Sequence, residues 1–279
     1  MANNIETFKK YVPMLDEVYK VASLTSVLDG AAELAAQGKN AGELVIPMME
    51  LDGLADYSRN GGYVDGSVTL TYETKKCNFD RGRMFSVDDM DNAETAGIAY
   101  GRLASEFIRT KVVPELDAFR FAEYASASGV STATGSLASG ANVVTALRDA
   151  VTKMDEDEVP VEERYLFITP TLGGMIDDLD TTKSRAILAR FAKVIHVPQT
   201  RFYTAITQNE GGFVKAGNDI NFMIAHKPAV IQFQKHVAPK VITPEQNQNA
   251  DAWKFGYRNV GIAEVYNNKV AGIFVHHKA

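Results

Sequence analysis

Cysteine is almost absent: Cys77 is the sole example in 279 residues, so no internal disulfide can form and no thiolate metal cluster can be built. Long apolar runs are also missing. No stretch of about eighteen consecutive apolar residues occurs, and the N-terminal "MANNIETFKKYVPM" lacks the basic-then-apolar layout of a secretion signal, which predicts a chain that stays in the cytoplasm where it is made, away from membranes. Positive charge is in short supply. The 29 Lys and Arg against 35 Asp and Glu leave a net charge of −6, whereas a dedicated nucleic-acid binder needs a local excess of cations for phosphate contacts. The first forty residues supply none, with Lys9, Lys10, Lys20 and Lys39 set against Glu6, Asp16, Glu17, Asp29 and Glu33.

Catalytic constellations are scarce too. His196, His226, His236, His276 and His277 show no i, i+4 spacing that would put two ligands on one helical face, and adjacent His276 and His277 point to opposite sides of a strand. The acidic run "MDEDEVPVEE" at 154–163 is bounded by proline and reads as a solvated loop. No Gly-rich phosphate loop, Ser-His-Asp arrangement or Cys-His pair occurs. The sharpest match is "DLDTT" at 178–182, which fits the Asp-x-Asp-x-Thr motif of haloacid-dehalogenase-type phosphatases, with "GNDI" at 217–220 as a faint echo of their metal-binding motif. That chemistry needs Asp178 at the end of a buried parallel strand, with Mg²⁺ between the two aspartates. Here "TPTLGGMIDDL" precedes it and predicts a helix after Pro170, so Asp178 is expected at a solvated helix end. No catalytic, cofactor or metal residue is assigned.

What the chain does contain is a polar, turn-rich tract in an unusual place. Residues 4 to 36 read as an amphipathic helix and an alanine-rich stretch broken near Asp29 and Gly30. "ELVIPMME" at 43–50 reads as a strand whose Pro47 suits an edge, because proline cannot donate to a ladder. In "GLADYSRNGGYVDGSVTLTYETKK", Asn60-Gly61-Gly62 and Asp65-Gly66 supply positive-φ positions for tight turns, and the return strand alternates Val68, Leu70 and Tyr72 with Thr69, Thr71 and Glu73, continuing to Val87. Arms of this length reach roughly 25 Å, far beyond an ordinary connection. A two-stranded ribbon is marginal in water, so it must pack on its own body or be completed by another molecule.

Asp91 with Glu94 predicts a helix start, and Ala96, Tyr100, Leu103 and Phe107 repeat at helical spacing; Pro114 kinks an element running from 92 to 125. "SASGVSTATGSLASGA" at 126–141 reads as a flexible boundary. Beyond it lie a helix carrying Val143, Leu147, Ala150 and Met154, a buried strand "YLFIT" at 165–169, a short helix "SRAILARFA", and alternating strands to the end. The fold class is α+β.

This order of elements, together with "DYSRNGGYVDGSVTLTYET", "DRGRMFSVDDMDNAETAG" and "RTKVVPELDAFRFAEYAS", resembles the tailed-bacteriophage major capsid proteins of the Hong Kong 97-type fold. The resemblance implies an N-terminal arm (1–42), an extended loop (43–87), a peripheral domain with its spine helix (88–141), an axial domain (142–228) and closing strands shared between domains (229–279). It implies a chain that associates with itself into pentamers and hexamers of an icosahedral shell around phage DNA, which is contacted without sequence specificity. Scaffold and portal proteins are the further partners, with assembly in the host bacterial cytoplasm and the virion as destination. Encapsulin compartments share this fold and form the alternative. The extended loop would lie over a neighbour through Leu54, Tyr57, Arg59, Asn60, Tyr63, Lys75, Lys76, Arg81 and Arg83. Its tip is acidic, with Glu50, Asp52, Asp56 and Asp65 against Arg59, while Lys75, Lys76, Arg81 and Arg83 against Asp80 make the later part basic. Some family members join subunits by an isopeptide bond from a loop lysine. The tip at 52–66 contains none, so contacts without covalent bonds are expected. A long cleaved scaffolding segment has no room in 279 residues, which implies a separate scaffold or a processed form.

Overall fold

The two strand-forming tracts flanking the Gly-rich stretch pair with each other. The computed structural model describes residues 23–30, 43–90, 98–179 and 181–279. In it β1 (Glu43–Leu51) and β2 (Val68–Lys76) form an isolated antiparallel ribbon, in register from Glu43 opposite Lys76 to Leu51 opposite Val68. The helix predicted from residue 4 lies outside the described residues except at 23–30, and so does the Asp91 and Glu94 start.

Strand character continues beyond the ribbon as predicted, but in another sheet. β3 (Phe79–Asp88) leaves β2 after two residues and joins β10 (Val230–Ile242) and β11 (Ala252–Val265) in the order β10-β11-β3. Asn78 sets the switch. Its carboxamide donates to the carbonyl of Ala263 at 2.9 Å and accepts from the same residue's N–H at 3.1 Å, so it stands in for one rung of the ladder. Phe79 then drops into the core against Phe119, ring centroids 5.0 Å apart. The ribbon proper therefore spans 43–76, and 79–88 belongs to the body.

The spine is one continuous rod with a change of pitch. α1 (Ile98–Phe107) passes into a π turn (Ile108–Val112) and then α2 (Val113–Ser126). In a regular α-helix Pro114 would lack a donor and press its ring on the carbonyl four residues back, at Thr110; the wider π turn takes up both defects just ahead of the proline. α2 is buried on most sides, and Phe121 wedges between Phe167 and Phe202 at centroid distances of 5.1 and 4.8 Å. The arm segment at 23–30 is docked on the spine. It makes a 3-10 turn (Ser26–Leu28) with Leu28 buried in the main core, and Asp117 of α2 accepts hydrogen bonds from Ser23 Oγ (2.9 Å), Leu24 N (3.1 Å) and Thr25 Oγ1 (2.8 Å).

The Ser- and Thr-rich tract at 126–141 is ordered, contrary to the expectation of a flexible boundary. It contains β4 (Ser131–Thr134), and Ser139 caps α3 (Gly140–Glu156) by accepting from the N–H of Asn142. Small residues serve packing here: a Cβ on Gly140 would stand 2.1 Å from the carbonyl oxygen of Met175. Then follow β5 (Arg164–Ile168), α4 (Pro170–Asp177), α5 (Thr182–Leu188), β6 (Lys193–His196), the hairpin β7 (Ile206–Asn209) and β8 (Gly212–Lys215), β9 (Ile220–His226) and β12 (Ile273–His277). The second large sheet runs β4-β12-β9-β5-β6. Strands from either side of 142–228 thus complete the sheet of that region, and the link from β11 to β12 ties both sheets together.

One face of this sheet packs Leu166, Ile168, Phe222 and Ile224 on α3, α4 and α5; the other packs Phe167, Met223, Ala225 and Val275 on α2. Covered on both faces, β9 is buried along its full length instead of alternating. Asp178 follows α4 at an exposed helix C-terminus, not a strand end, so the phosphatase reading lacks the placement its chemistry requires.

Candidate assembly interface

The ribbon tip is built by local turn chemistry. Asp52 and Ser67 close its base through Asp52 N to Ser67 O (3.2 Å) and Ser67 N to Asp52 Oδ2 (2.6 Å). At the far end Ser58 bridges Gly62, whose φ of +78° suits glycine, and Arg59 and Asn60 sit in the exposed turn between them. The rings of Tyr57 and Tyr63 pack at a tilt, centroids 4.9 Å apart, while both remain exposed, Tyr63 at 89%, and Leu54 projects fully into solvent.

Opposite residues of an antiparallel pair share a face, and this register sorts the ribbon cleanly. Val45, Pro47, Met49 and Leu51 oppose Thr74, Tyr72, Leu70 and Val68. Val45, Met49, Leu51, Val68, Leu70 and Tyr72 on that face are exposed large apolar side chains. On the other face Ile46 packs beside Ile231 and Ile262, anchoring the base of the ribbon to the body. This apolar face is absent from the predicted contact residues. β2 carries its signal as alternation, but "ELVIPMMEL" is apolar at both parities, and only the register shows which parity joins Leu70 and Tyr72.

The nine predicted contact residues fall into three places. Leu54, Tyr57, Arg59, Asn60 and Tyr63 gather at the tip. Lys75 and Lys76 lie at the base, Lys76 exposed and Lys75 turned inward between Glu73 and Glu264, each 2.9 Å away, with its Nζ 3.3 Å from Asn267 Oδ1. Arg81 and Arg83 are on β3 in the body, where Arg81 pairs with Glu115 at 2.8 Å and donates to the carbonyl of Asn209 while Arg83 donates to the carbonyl of Glu210. The expectation of one hairpin polarised along its length is therefore corrected: the acidic tip belongs to the ribbon, whereas Arg81 and Arg83 belong to the surface beneath the spine.

Burial alone would lower the pKa of Lys75, but its hydrogen bonds to Glu73 and Glu264 outweigh that and push it above the ordinary lysine value. Held as an ammonium at neutral pH, its nitrogen has no free electron pair to attack the amide of Asn267. We expect no deficit of 17 Da in the intact mass, and single chains on a denaturing gel after boiling assembled material. A loss of 17 Da, the mass of ammonia, or a ladder of linked chains on the gel, would overturn this.

Among the described residues, no group of three or more His, Cys, Asp and Glu could hold a metal ion, and no helix is long and apolar enough to cross a membrane.

No family model and no curated protein matches the chain. Solved structures do. A chain from Mycobacterium phage Che8 superposes with a TM-score of 0.63 at 14% identity, covering 89% of each chain. The mature capsid of bacteriophage PhiM1 gives 0.58 at 13% identity over 86% of this chain and 83% of that one. A virus-like particle from Pyrococcus furiosus gives 0.56 at 13% identity over 91% and 98%. The chain has the Hong Kong 97-type phage capsid fold.

Proposed function

We propose that this chain is a major capsid protein whose copies assemble as pentamers and hexamers into an icosahedral shell enclosing phage double-stranded DNA. The observation that carries the reading is the uncovered apolar face of the ribbon on a chain with the capsid fold. A ribbon with two open edges and six large apolar side chains in solvent is not a stable end state for a monomer. Laid over a neighbouring subunit, each of those half-exposed side chains contributes about half to two thirds of the roughly 1.5 to 3 kcal/mol that full burial of a large apolar side chain yields. Head-to-tail contacts whose rotation closes give rings, and rings give a shell. The role is structural, without catalysis. Packaged DNA is met without sequence reading, in keeping with the net charge of −6. Scaffold and portal proteins complete assembly in the bacterial cytoplasm, and the virion is the final location.

Electron microscopy of the purified protein, alone and with its scaffold, tests the reading. Closed shells or ring-shaped capsomers are the expected result, and a compact monomer at every concentration would refute it. An encapsulin-type compartment shares the architecture, and the 98% coverage of the Pyrococcus furiosus particle chain is the observation that favours keeping it in view. Contents separate the two, because a phage shell protects DNA from nuclease and a compartment holds a protein cargo.

A further inference from the structure

The sheet β4-β12-β9-β5-β6 has a cavity of about 390 Å³ at one end. β4, β12, β5 and β6 run in one direction and β9 runs against them, and the cavity lies where the four carboxyl ends come together. Ser136 and Leu137 reach it after β4, Thr169 and the start of α4 after β5, Pro198 and Gln199 after β6, and Lys278 after β12, with Asn221 at the opening of β9. The parallel neighbours β5 and β6 diverge at this point. α4 packs Leu172 and Ile176 on one face of the sheet, whereas the chain after β6 passes to the other face and seats Phe202 against Phe121 of α2. A crevice outside the carboxyl ends of strands whose connections diverge is where open α/β sheets bind ligands.

The cavity holds donors that the chain does not use. At the N-terminus of α4, Pro170 has no N–H, and the first engaged amide is that of Gly173, which donates to the Thr169 carbonyl at 3.0 Å. The N–H groups of Thr171 and Leu172 have no partner among the described residues. Thr169 is the N-cap residue, and a threonine there ordinarily accepts from an amide of the first turn. This one makes no capping bond, although its side chain is 6% exposed, lines the cavity and has no other partner among the described residues. Charge agrees as well. Among the described residues no Asp or Glu lines the cavity and Lys278 is its one cation, and Asp219, which faces Lys278 at 3.1 Å, is shared with Lys215 at 2.6 Å. Acceptors lie opposite. Asn221 Nδ2 donates to the Gly135 carbonyl (3.2 Å) and to Nδ1 of His276 (2.9 Å), a ring that burial holds below the usual imidazole range and so keeps neutral. Gln199 Nε2 donates to the Phe202 carbonyl (2.8 Å). The amide oxygens of Asn221 and Gln199 are left without a partner among the described residues.

We propose that this cavity binds a phosphate monoester of a small hydroxylated molecule. The three acceptor oxygens of a phosphate match the two helix amides, the Thr169 hydroxyl and Lys278 better than the two of a carboxylate do. The oxygens of Asn221 and Gln199 accept from hydroxyl groups of the body, and Leu137, Pro170 and Met175 cover its carbon skeleton. Inorganic phosphate carries the same head group without the body. The inference stands apart from the shell reading.

Calorimetric titration of the full chain with glycerol 3-phosphate, inorganic phosphate and glycerol tests it. Glycerol 3-phosphate should bind saturably, inorganic phosphate more weakly, and glycerol not at all. Inorganic phosphate binding as tightly as the ester overturns the organic body and assigns the cavity to free phosphate; no saturable binding of either overturns the site. Thr169→Val keeps the shape and discards a hydroxyl that bonds nothing in the chain. Its melting midpoint should stay level while affinity falls roughly tenfold, as for loss of one hydrogen bond to a charged group. Unchanged affinity sinks the proposal, and so does an earlier melt, since the hydroxyl is then structural. Lys278→Gln, a change at an exposed residue, should weaken binding by roughly threefold, the share of a solvent-screened charge, and an unaltered affinity there counts against the site equally. Hydrogen exchange gives the location: peptides containing Thr171 and Leu172 should slow when glycerol 3-phosphate is added, and protection confined to other segments would overturn the placement.

Discussion

A chain in which residues 54–64 are replaced by Asn-Gly is expected to fold and to build no stable shells. With the closure between Asp52 and Ser67 left in place, the replacement leaves a three-residue Asn-Gly-Asp loop between Gly53 and Gly66, a legal hairpin connection, so the nine-residue arms of β1 and β2 retain their register. What disappears is Leu54, Tyr57, Tyr63 and Val64, all exposed in the single chain and in contact with nothing that holds the body together. Monomer stability should change by less than about 1 kcal/mol, as for substitutions on an open surface. Each inter-subunit contact, in contrast, loses several side chains worth roughly 1.5 to 3 kcal/mol apiece when buried, and every subunit repeats the loss. Circular dichroism and thermal unfolding report the first quantity, particle yield by sedimentation the second. Normal assembly of the shortened chain, or failure to fold, would show that the tip is not the clasp. Because the tip is acidic, assembly of the unaltered protein should also weaken as salt screens its contacts.

The second large effect lies inside the subunit. Asp117→Ala is expected to destabilise the fold by roughly 3 to 5 kcal/mol, because it removes one member of a buried charged network and strands the others. Asp117 is fully buried and gathers the arm: Ser23 Oγ, the N–H groups of Leu24 and Thr25, and Thr25 Oγ1, with the Arg201 guanidinium at 3.4 Å. Arg120, almost fully buried, donates to Thr25 Oγ1 at 2.8 Å and would be left among groups with no counter-charge beyond Asp29, 3.6 Å away. Gln232 adds a third strut, donating to the Thr25 carbonyl while accepting from the Tyr124 hydroxyl. Urea denaturation gives the energy, and hydrogen exchange at Leu24 and Thr25 gives the location. A loss under about 1 kcal/mol, or unchanged protection at those amides, would mean that the arm is held by Leu28, Arg120 and Gln232 without help from Asp117.

The elements that were legible in the sequence are those whose signal is local. Asn60-Gly61-Gly62 announces its turn, Val143 to Met154 announces its helix by spacing, and Pro47 announces an edge. Pro114 marked the right place in the spine, although the response is a π turn within a continuous rod. What escaped depends on partners distant in sequence. Alternation runs from Val68 to Glu73 and gives way to mixed strand-forming residues as far as Val87, and none of them reveals locally that Asn78 hands the chain from one sheet to another. β4 consists of Ser, Thr, Ala and Thr, a composition shared by linkers; it becomes a strand because β12 lies beside it. The contact surface was half legible for the same reason. The tip residues follow from turn chemistry, but the apolar face needs the pairing of Met49 with Leu70 and Leu51 with Val68.

β12 lies between β4 and β9, with His277 opposite Thr134 on one side and Ile273 opposite Ala225 on the other. During synthesis β4 and β9 leave the ribosome before the strand that separates them exists, so the middle of the sheet cannot close until residue 277 has emerged. Until then the ribbon is already translated while the body that must hold it is open. On the proposed shell function, competence to assemble is thereby tied to completion of the chain through β12, and stalled or truncated products lacking it would meet their neighbours with an unzipped sheet. Such contact between distant parts of the sequence also slows folding. On the proposed function, a slow final closure would set an interval between translation and assembly.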